Sequence, residues 1–211
     1  MKPIWFDRLL QWLLATLLIF TPLAFGTVEA WSIAVAELLV LSMGVVWIIR
    51  MIVEGRIHFE KTSCNLPIIL FLILMLFQMV PMPMTVIKHL SPTAYVMYRQ
   101  ASSLNPEIGW RTISLDPTAT RKEFVEVLTY AILFWVILNN FRQRHQIEAI
   151  AAIIIGVGVF LAVFGIFQKY YWNGKIYWVR KLPGYSQPFG PYVNRNHFAG
   201  YMEMVIPWTM G

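Results

Sequence analysis

Long apolar runs are the feature of this sequence that most limits its fold. Residues 9–28 contain no Asp, Glu, Lys or Arg, and residues 31–49 contain only Glu37. A helix needs about 20 apolar residues to cross about 30 Å of hydrocarbon. Charged residues make up 13% of the chain, whereas soluble domains have about 25%. The sequence therefore predicts an integral membrane protein, and it excludes both a soluble globular fold and a disordered chain.

The spacing of the runs predicts an all-α, polytopic transmembrane helical bundle that forms a single integral-membrane domain over residues 1–211. Pro81 and Pro83 end the third run, because proline cannot continue a helical hydrogen-bond ladder. Asp116 and Pro117 are suited to the start of the fourth helix. We expect about six spans, the last of them incomplete, near residues 9–28, 31–49, 66–80, 124–141, 149–168 and 197–211.

Two local patterns add detail to this bundle. Gly158 and Gly165 place small residues on one face of the fifth span, which favours close helix contact. In the long loop before the fourth span, Ser91-Pro92 is a helix-start signal, and Tyr95 and Tyr98 follow it. Tyrosine is enriched at membrane interfaces. We therefore expect a short interfacial helix in this loop.

The distribution of basic residues predicts the orientation. A cytoplasmic N-terminus places seven basic residues in short cytoplasmic segments, as the positive-inside rule requires; they are Lys2, Arg8, Arg50, Arg56, Lys61, Arg142 and Arg144. The other ten lie in two longer outer loops, 82–122 and 169–195. The simpler interpretation of these outer charges is that they are solvated by water and contact lipid headgroups. The functional interpretation is a phosphate-bearing ligand at the outer surface.

Charge and cysteine content exclude other classes of function. The net charge of +6 comes from basic residues that lie between apolar runs and form no basic face with stacking aromatic residues, so we expect no nucleic-acid partner and expect membrane lipids instead. Cys64 is the single cysteine. It allows no internal disulfide, and no Cys/His or acidic cluster suggests a metal site. The sequence predicts no cofactor.

The most informative segment joins the second outer loop to the sixth predicted span. Asn194 or Asn196 can cap that helix, which would leave unpaired backbone N–H groups and a partial positive charge at the outer surface. Arg195 adds a planar set of donors suited to phosphate, and His197 adds a titratable group. Helix starts of this kind bind anions. The alternative is that the asparagine is only a cap, that Arg195 meets lipid phosphate and that His197 is an ordinary interfacial histidine.

Three segments resemble one known family. PFGPYV followed by NRNHFAGYMEM (188–204), TISLDPTATRKEF (112–124) and LSPTAYVMY (90–98) are similar, in the same order, to the O-antigen ligase and O-antigen polymerase superfamily, which includes bacterial O-linked oligosaccharyltransferases. The resemblance covers the N-terminal portion of such proteins. It implies a multi-pass protein of the bacterial inner membrane that transfers glycan from undecaprenyl pyrophosphate at the periplasmic face.

The resemblance also implies roles for particular residues. Arg195 would help to hold the pyrophosphate of the lipid-linked glycan, with Asn194, Asn196 and His197 shaping the site. Arg111, Arg121 and Arg180 are weaker candidates in the outer loops. The acceptor would be a lipid A core, a polysaccharide or a protein. Family members carry further arginines and a histidine in a later periplasmic loop, so the catalytic groups are expected downstream of residue 211.

Two alternatives stay open. One is a lipid-linked sugar transporter or flippase component, which would distribute polar residues along several helices around a central path. The other is an inactive fragment or an interaction subunit. Glu203, about two turns into the sixth predicted span, is conceivable as a catalytic carboxylate, although a structural hydrogen bond is the simpler role.

Overall fold

The computed structural model describes residues 4–57, 59–102, 109–182 and 188–210. The chain divides into two compact units, Met1–Phe59 with Ile132–Gly211 (unit 1) and Glu60–Ala131 (unit 2). The elements, in chain order, are α1 (Ile4–Leu23), α2 (Ala30–Glu54), α3 (Asn65–Gln78), β1 (Met82–Pro83), α4 (Met84–Leu90), α5 (Pro92–Ser102), β2 (Trp110–Arg111), α6 (Pro117–Asn140), α7 (Arg144–Tyr170), β3 (Lys175–Ile176), β4 (Arg180–Lys181), α8 (Arg195–Val205) and a 3-10 turn (Ile206–Thr209).

Four helices of the described residues, α1, α2, α6 and α7, are long and apolar enough to cross a membrane. They match the spans predicted near 9–28, 31–49, 124–141 and 149–168. Within the most apolar segment of each helix, only 17% to 28% is buried inside the chain. Most of this apolar surface therefore faces outward, as expected for helices in lipid. The mostly helical fold and the membrane character predicted from the sequence are therefore confirmed.

The other two predicted spans are shorter helices. The 14 residues of α3 extend about 21 Å, less than the roughly 30 Å of a hydrocarbon core. The 11 residues of α8 lead into the 3-10 turn, and Gly211, the last residue of the sixth predicted span, lies outside the described residues. The predicted number of spans stays a prediction.

The loop between α1 and α2 is longer than the sequence suggests. The first span was expected to reach residue 28, but α1 ends at Leu23. Phe25, Gly26 and Thr27 have φ angles of 57°, 69° and 58°. These angles lie in the left-handed region, where no right-handed helix continues. The helix therefore ends five residues before the predicted end of the first span, and a six-residue turn, 24–29, follows it.

The core of unit 1 lies between α1, α2 and the second half of α6. Its fully buried side chains include Leu10, Leu14, Met43 and Val136. At one end of this core, Arg50 donates to Asp7 at 2.6 Å and to Asn140 at 3.1 Å. These contacts bring together the start of α1 and the ends of α2 and α6, and we call this the Arg50 end of unit 1.

The opposite end of unit 1 carries the α1–α2 turn and the β3–β4 hairpin. The Tyr177 hydroxyl donates to the Leu23 carbonyl oxygen at 2.7 Å. This contact joins the hairpin to the end of α1, and we call this the Tyr177 end. Arg50, which is predicted to be cytoplasmic, therefore lies at the end of unit 1 opposite Arg180 of the hairpin. Lys2 lies outside the described residues.

In unit 2, two of the three family-like segments are in contact. A helix, α5, begins at Pro92, and the Tyr98 hydroxyl lies 3.0 Å from the Thr112 carbonyl oxygen and 2.9 Å from that of Ser114. Asp116 caps α6, because its Oδ1 accepts from the N–H of Thr118 and of Ala119 at 3.0 Å. The cap is as predicted, whereas the position of α5 at a membrane surface stays a prediction.

Candidate functional site

Arg180, in the β3–β4 hairpin of unit 1, already has protein partners. Its Nη2 donates to Glu29 at the start of α2, and its guanidinium lies 4.5 Å from the centre of the Phe25 ring, within range of a cation–π contact. Its Nη1 is buried without a hydrogen-bond partner among the described residues. Arg180 therefore joins the hairpin to the α1–α2 turn.

The turn before α8 packs tightly on α7. Phe189 and Tyr192 exchange backbone hydrogen bonds of 3.2 Å, and Gly190, with φ of 56°, lies between them. A Cβ on Gly165 of α7 would collide with the Phe189 ring. Gly165 thus allows the aromatic turn to approach, as the predicted face of small residues suggested, and this contact fixes where α8 begins.

Asn194 is the N-cap of α8. Its Oδ1 accepts from the Asn196 N–H at 2.9 Å, and its backbone oxygen accepts from the His197 N–H at 3.0 Å. The sequence analysis left open which asparagine caps the helix and expected unpaired N–H groups there. The expectation of free N–H groups is wrong for Asn196 and His197, because Asn194 pairs both. The partial positive charge of the helix start remains.

Arg195 lines a cavity of about 460 Å³ together with Lys169 from the last turn of α7. Trp172 and Phe189 form part of the wall, and Gln168, which is 2% exposed, contributes a buried amide. The Arg195 and Lys169 side chains are otherwise accessible. Two cations, a helix start and aromatic walls therefore surround one space at the Tyr177 end of unit 1, and this space suits an anion with an apolar or sugar-like neighbour.

His197 lies on a different cavity. That space, of about 540 Å³, is lined by His197, Tyr192 and Tyr201 and reaches the end of α1 at Thr21 and the following turn at Gly26. Residues two apart on a helix point in nearly opposite directions, which explains why Arg195 and His197 separate. The exposed Asn196 lines neither of these two spaces. The structure therefore brings Arg195 to the cavity with Lys169 and does not bring His197 there.

Arg111 and Arg121 belong to unit 2. Arg111, in β2, lies with its guanidinium 5.6 Å from the centre of the Tyr98 ring. Arg121 is exposed in the first turns of α6. Both stay candidates from the sequence alone.

Two residues that accompany the candidate arginines of unit 1 were not predicted from the sequence: Lys169, which shares the cavity with Arg195, and Glu29, which pairs with Arg180. Lys169 ends an apolar span just before Tyr170, Tyr171 and Trp172, a pattern also typical of interfacial anchoring. Glu29 and Arg180 are 151 positions apart in the sequence, so no local sequence pattern predicts that they pair.

Comparison with protein families, with characterised proteins and with solved structures finds no match to this chain. The described ranges also hold no group of three or more His, Cys, Asp or Glu side chains placed to bind a metal ion.

Proposed function

We propose that this chain binds a polyprenyl-pyrophosphate-linked glycan and belongs to a membrane glycosyltransferase of the O-antigen ligase and polymerase type. The observation that carries the proposal is the cavity shared by Arg195 and Lys169 at the start of α8. A pyrophosphate brings two adjacent phosphoryl groups, which matches two cations and a helix start better than it matches a single charge.

The chemistry of the reaction gives these cations a purpose. When the bond between the sugar and pyrophosphate breaks, negative charge develops on the leaving oxygen. Cations already held beside the leaving oxygen stabilise this charge as it develops. In the proposed arrangement Arg195 and Lys169 hold the pyrophosphate, and the acceptor is a lipid A core, a polysaccharide or a protein. Catalytic groups are expected downstream of residue 211, as the family resemblance implies.

The sparse charge inside the long helices favours this proposal over a transporter. Each of α1, α2, α6 and α7 has at most two charged residues in its most apolar 18-residue window. A path for a charged, sugar-bearing headgroup needs polar groups along several helices. The cationic cavity instead lies at one end of unit 1, as expected for chemistry at a membrane surface on the periplasmic side of a bacterial inner membrane.

The test is binding of undecaprenyl pyrophosphate to the purified chain in lipid nanodiscs. We expect Arg195→Ala and Lys169→Ala each to weaken binding by about tenfold, the effect of losing one charge-assisted hydrogen bond. Arg144→Ala is the matched control, because Arg144 begins α7 at the other end and pairs with Glu148. Unchanged binding by both site variants would refute the assignment. Undecaprenol, which lacks the pyrophosphate, should bind all variants alike.

A further inference from the structure

A third cavity lies at the Arg50 end of unit 1, away from Arg195. It has a volume of about 440 Å³ and separates the first half of α1 from the first half of α7. Its size falls within the range of about 300–1,000 Å³ that is common for small-molecule sites. The proposal for Arg195 makes no use of this space.

The mouth of this cavity is basic. Arg8 of α1 and His145 of α7 both line it, and both are exposed. Within the described part of the chain, Arg8 forms no ion pair, whereas its neighbour Asp7 pairs with Arg50 at 2.6 Å. The described lining contains no Asp or Glu. An anion at the mouth would therefore meet an available guanidinium and no competing carboxylate.

Gln11 and Gln146 also line the cavity, close in sequence to Arg8 and His145, and the lining beyond them is apolar. Ala15, Ile150 and Ile153 line it farther along the two helices, and Trp12 flanks it. Ala15 lies seven positions after Arg8, and Ile153 eight positions after His145, which correspond to about 10 and 12 Å of helix. The cavity thus runs about two helical turns from a basic mouth into an apolar trough.

We propose that this cavity binds an anionic phospholipid, with the headgroup phosphate at Arg8 and His145 and one acyl chain between α1 and α7. A free phosphate would use the mouth but not the trough, and an uncharged apolar molecule would use the trough but not the mouth. Basic pockets between membrane helices are suited to anionic headgroups. The helices α1 and α7 are themselves long and apolar enough to cross a bilayer. A bilayer crossed by both helices would bring the mouth, which lies near their starts, close to the lipid phosphates.

The experiment is native mass spectrometry of the detergent-purified chain with added phosphatidylglycerol or phosphatidylcholine carrying identical acyl chains. We expect the unmodified chain to retain phosphatidylglycerol preferentially. Arg8→Gln should reduce that retention about fivefold, the effect of one basic residue beside an anionic lipid. Arg8→Lys, which keeps the charge, should retain most of it. Ala15→Phe, which fills the trough and leaves the charges, should also reduce it.

The matched control is Arg144→Gln. Arg144 lies at the same end, next to His145, but it is exposed, pairs with Glu148 and does not line the cavity. Equal loss in Arg144→Gln and Arg8→Gln would show general charge attraction and would overturn the proposal. Equal retention of the two lipids would overturn it as well, and so would displacement by inorganic phosphate, which would mark a site for free anions. Undecaprenyl pyrophosphate binding should be unchanged in Arg8→Gln, so the two proposals fail separately.

Discussion

Arg180 and Arg195 show how two outer-loop arginines acquire different roles through their contacts. Arg180 is paired with Glu29 and lies against Phe25, with a side chain 26% exposed. Arg195 is exposed and shares a cavity with Lys169. A charge that already has a carboxylate partner gains less from a second anion. We therefore assign Arg180 mainly to holding the hairpin and Arg195 to the ligand.

The pair between Glu29 and Arg180 should contribute measurable stability. Glu29→Gln leaves Arg180 partly buried without its countercharge, and we expect the free energy of unfolding to fall by about 1–2 kcal/mol. Glu148→Gln, which removes the exposed pair with Arg144, should change it little. Denaturant unfolding in a mild detergent measures both variants. Equal stability of Glu29→Gln and the unmodified chain would mean that the pair does not hold the hairpin.

Tyr177 should make the chain sensitive to alkaline pH. Burial raises the pKa of Tyr177 from its usual value of 10.0 to about 12, and burial also raises the pKa of Tyr192. Because the folded state binds the proton more tightly, this stabilisation is complete below pH 10 and is lost as the pH rises towards 12.

The test compares the free energy of unfolding at pH 9 and pH 11. Tyr177→Phe should lose about 1 kcal/mol at pH 9, because the hydrogen bond to Leu23 is absent. Its further decrease at pH 11 should be smaller than in the unmodified chain. Tyr171→Phe, at an exposed position, should behave like the unmodified chain. An identical decrease in all three would contradict the role of Tyr177.

Among the elements, those set by local sequence were predicted and those set by distant contacts were not. The apolar runs identified α1, α2, α6 and α7, and Asp116-Pro117 gave the start of α6, because length, hydropathy and capping are local properties. The left-handed turn at Phe25 and Thr27 was missed. Neither residue favours positive φ, and the turn packs against Tyr177 of the distant hairpin, with ring centres 5.5 Å apart.

In the candidate site, too, the residues set by local sequence were predicted and those brought in by distant contacts were not. Adjacent residues identified Arg195 and narrowed the cap to Asn194 or Asn196, whereas Lys169 came to the cavity through the packing of the 189–192 turn on Gly165. That close approach depends on the absence of a side chain at Gly165. Sequence spacing suggested a face of small residues but not what covers it.

Two glycines of α7 offer a matched test of this packing. A Cβ on Gly158 would lie 2.6 Å from Cγ1 of Val205 in α8, whereas a Cβ on Gly156 would meet nothing within 4 Å. Alanine raises helix propensity by about 1 kcal/mol at either position. We therefore expect Gly158→Ala to be less stable than Gly156→Ala by about 1–3 kcal/mol, the usual cost of overpacking.

Thermal unfolding in detergent measures this difference. Val205→Ala added to Gly158→Ala should recover part of the loss, because it removes the atoms that the new Cβ meets. If the two single variants are equally stable, α8 does not pack on α7 at Gly158.

At the scale of the whole molecule, unit 1 has two chemically different ends. The Arg50 end contains Asp7, Asn140 and the start of α7, and the other end contains the β3–β4 hairpin and Arg195. Both proposed ligands bear phosphate, but the polyprenyl pyrophosphate is proposed for the Tyr177 end and the anionic phospholipid for the Arg50 end. The positive-inside rule predicts that the Arg50 end faces the cytoplasm. The proposed pyrophosphate site at Arg195 would then face the periplasm, and the proposed phospholipid site at Arg8 would face the cytoplasmic leaflet.

Cysteine labelling tests this orientation. In a Cys64→Ser background, Arg144→Cys and Lys181→Cys place single thiols at exposed positions on opposite ends. A membrane-impermeant maleimide should label Lys181→Cys in intact spheroplasts and Arg144→Cys only in inverted vesicles, because α7 separates the two ends by about 40 Å. Labelling of both from one side would contradict a membrane-spanning α7. The reversed pattern would place Arg195 in the cytoplasm, where no periplasmic transfer from a lipid-linked donor could occur.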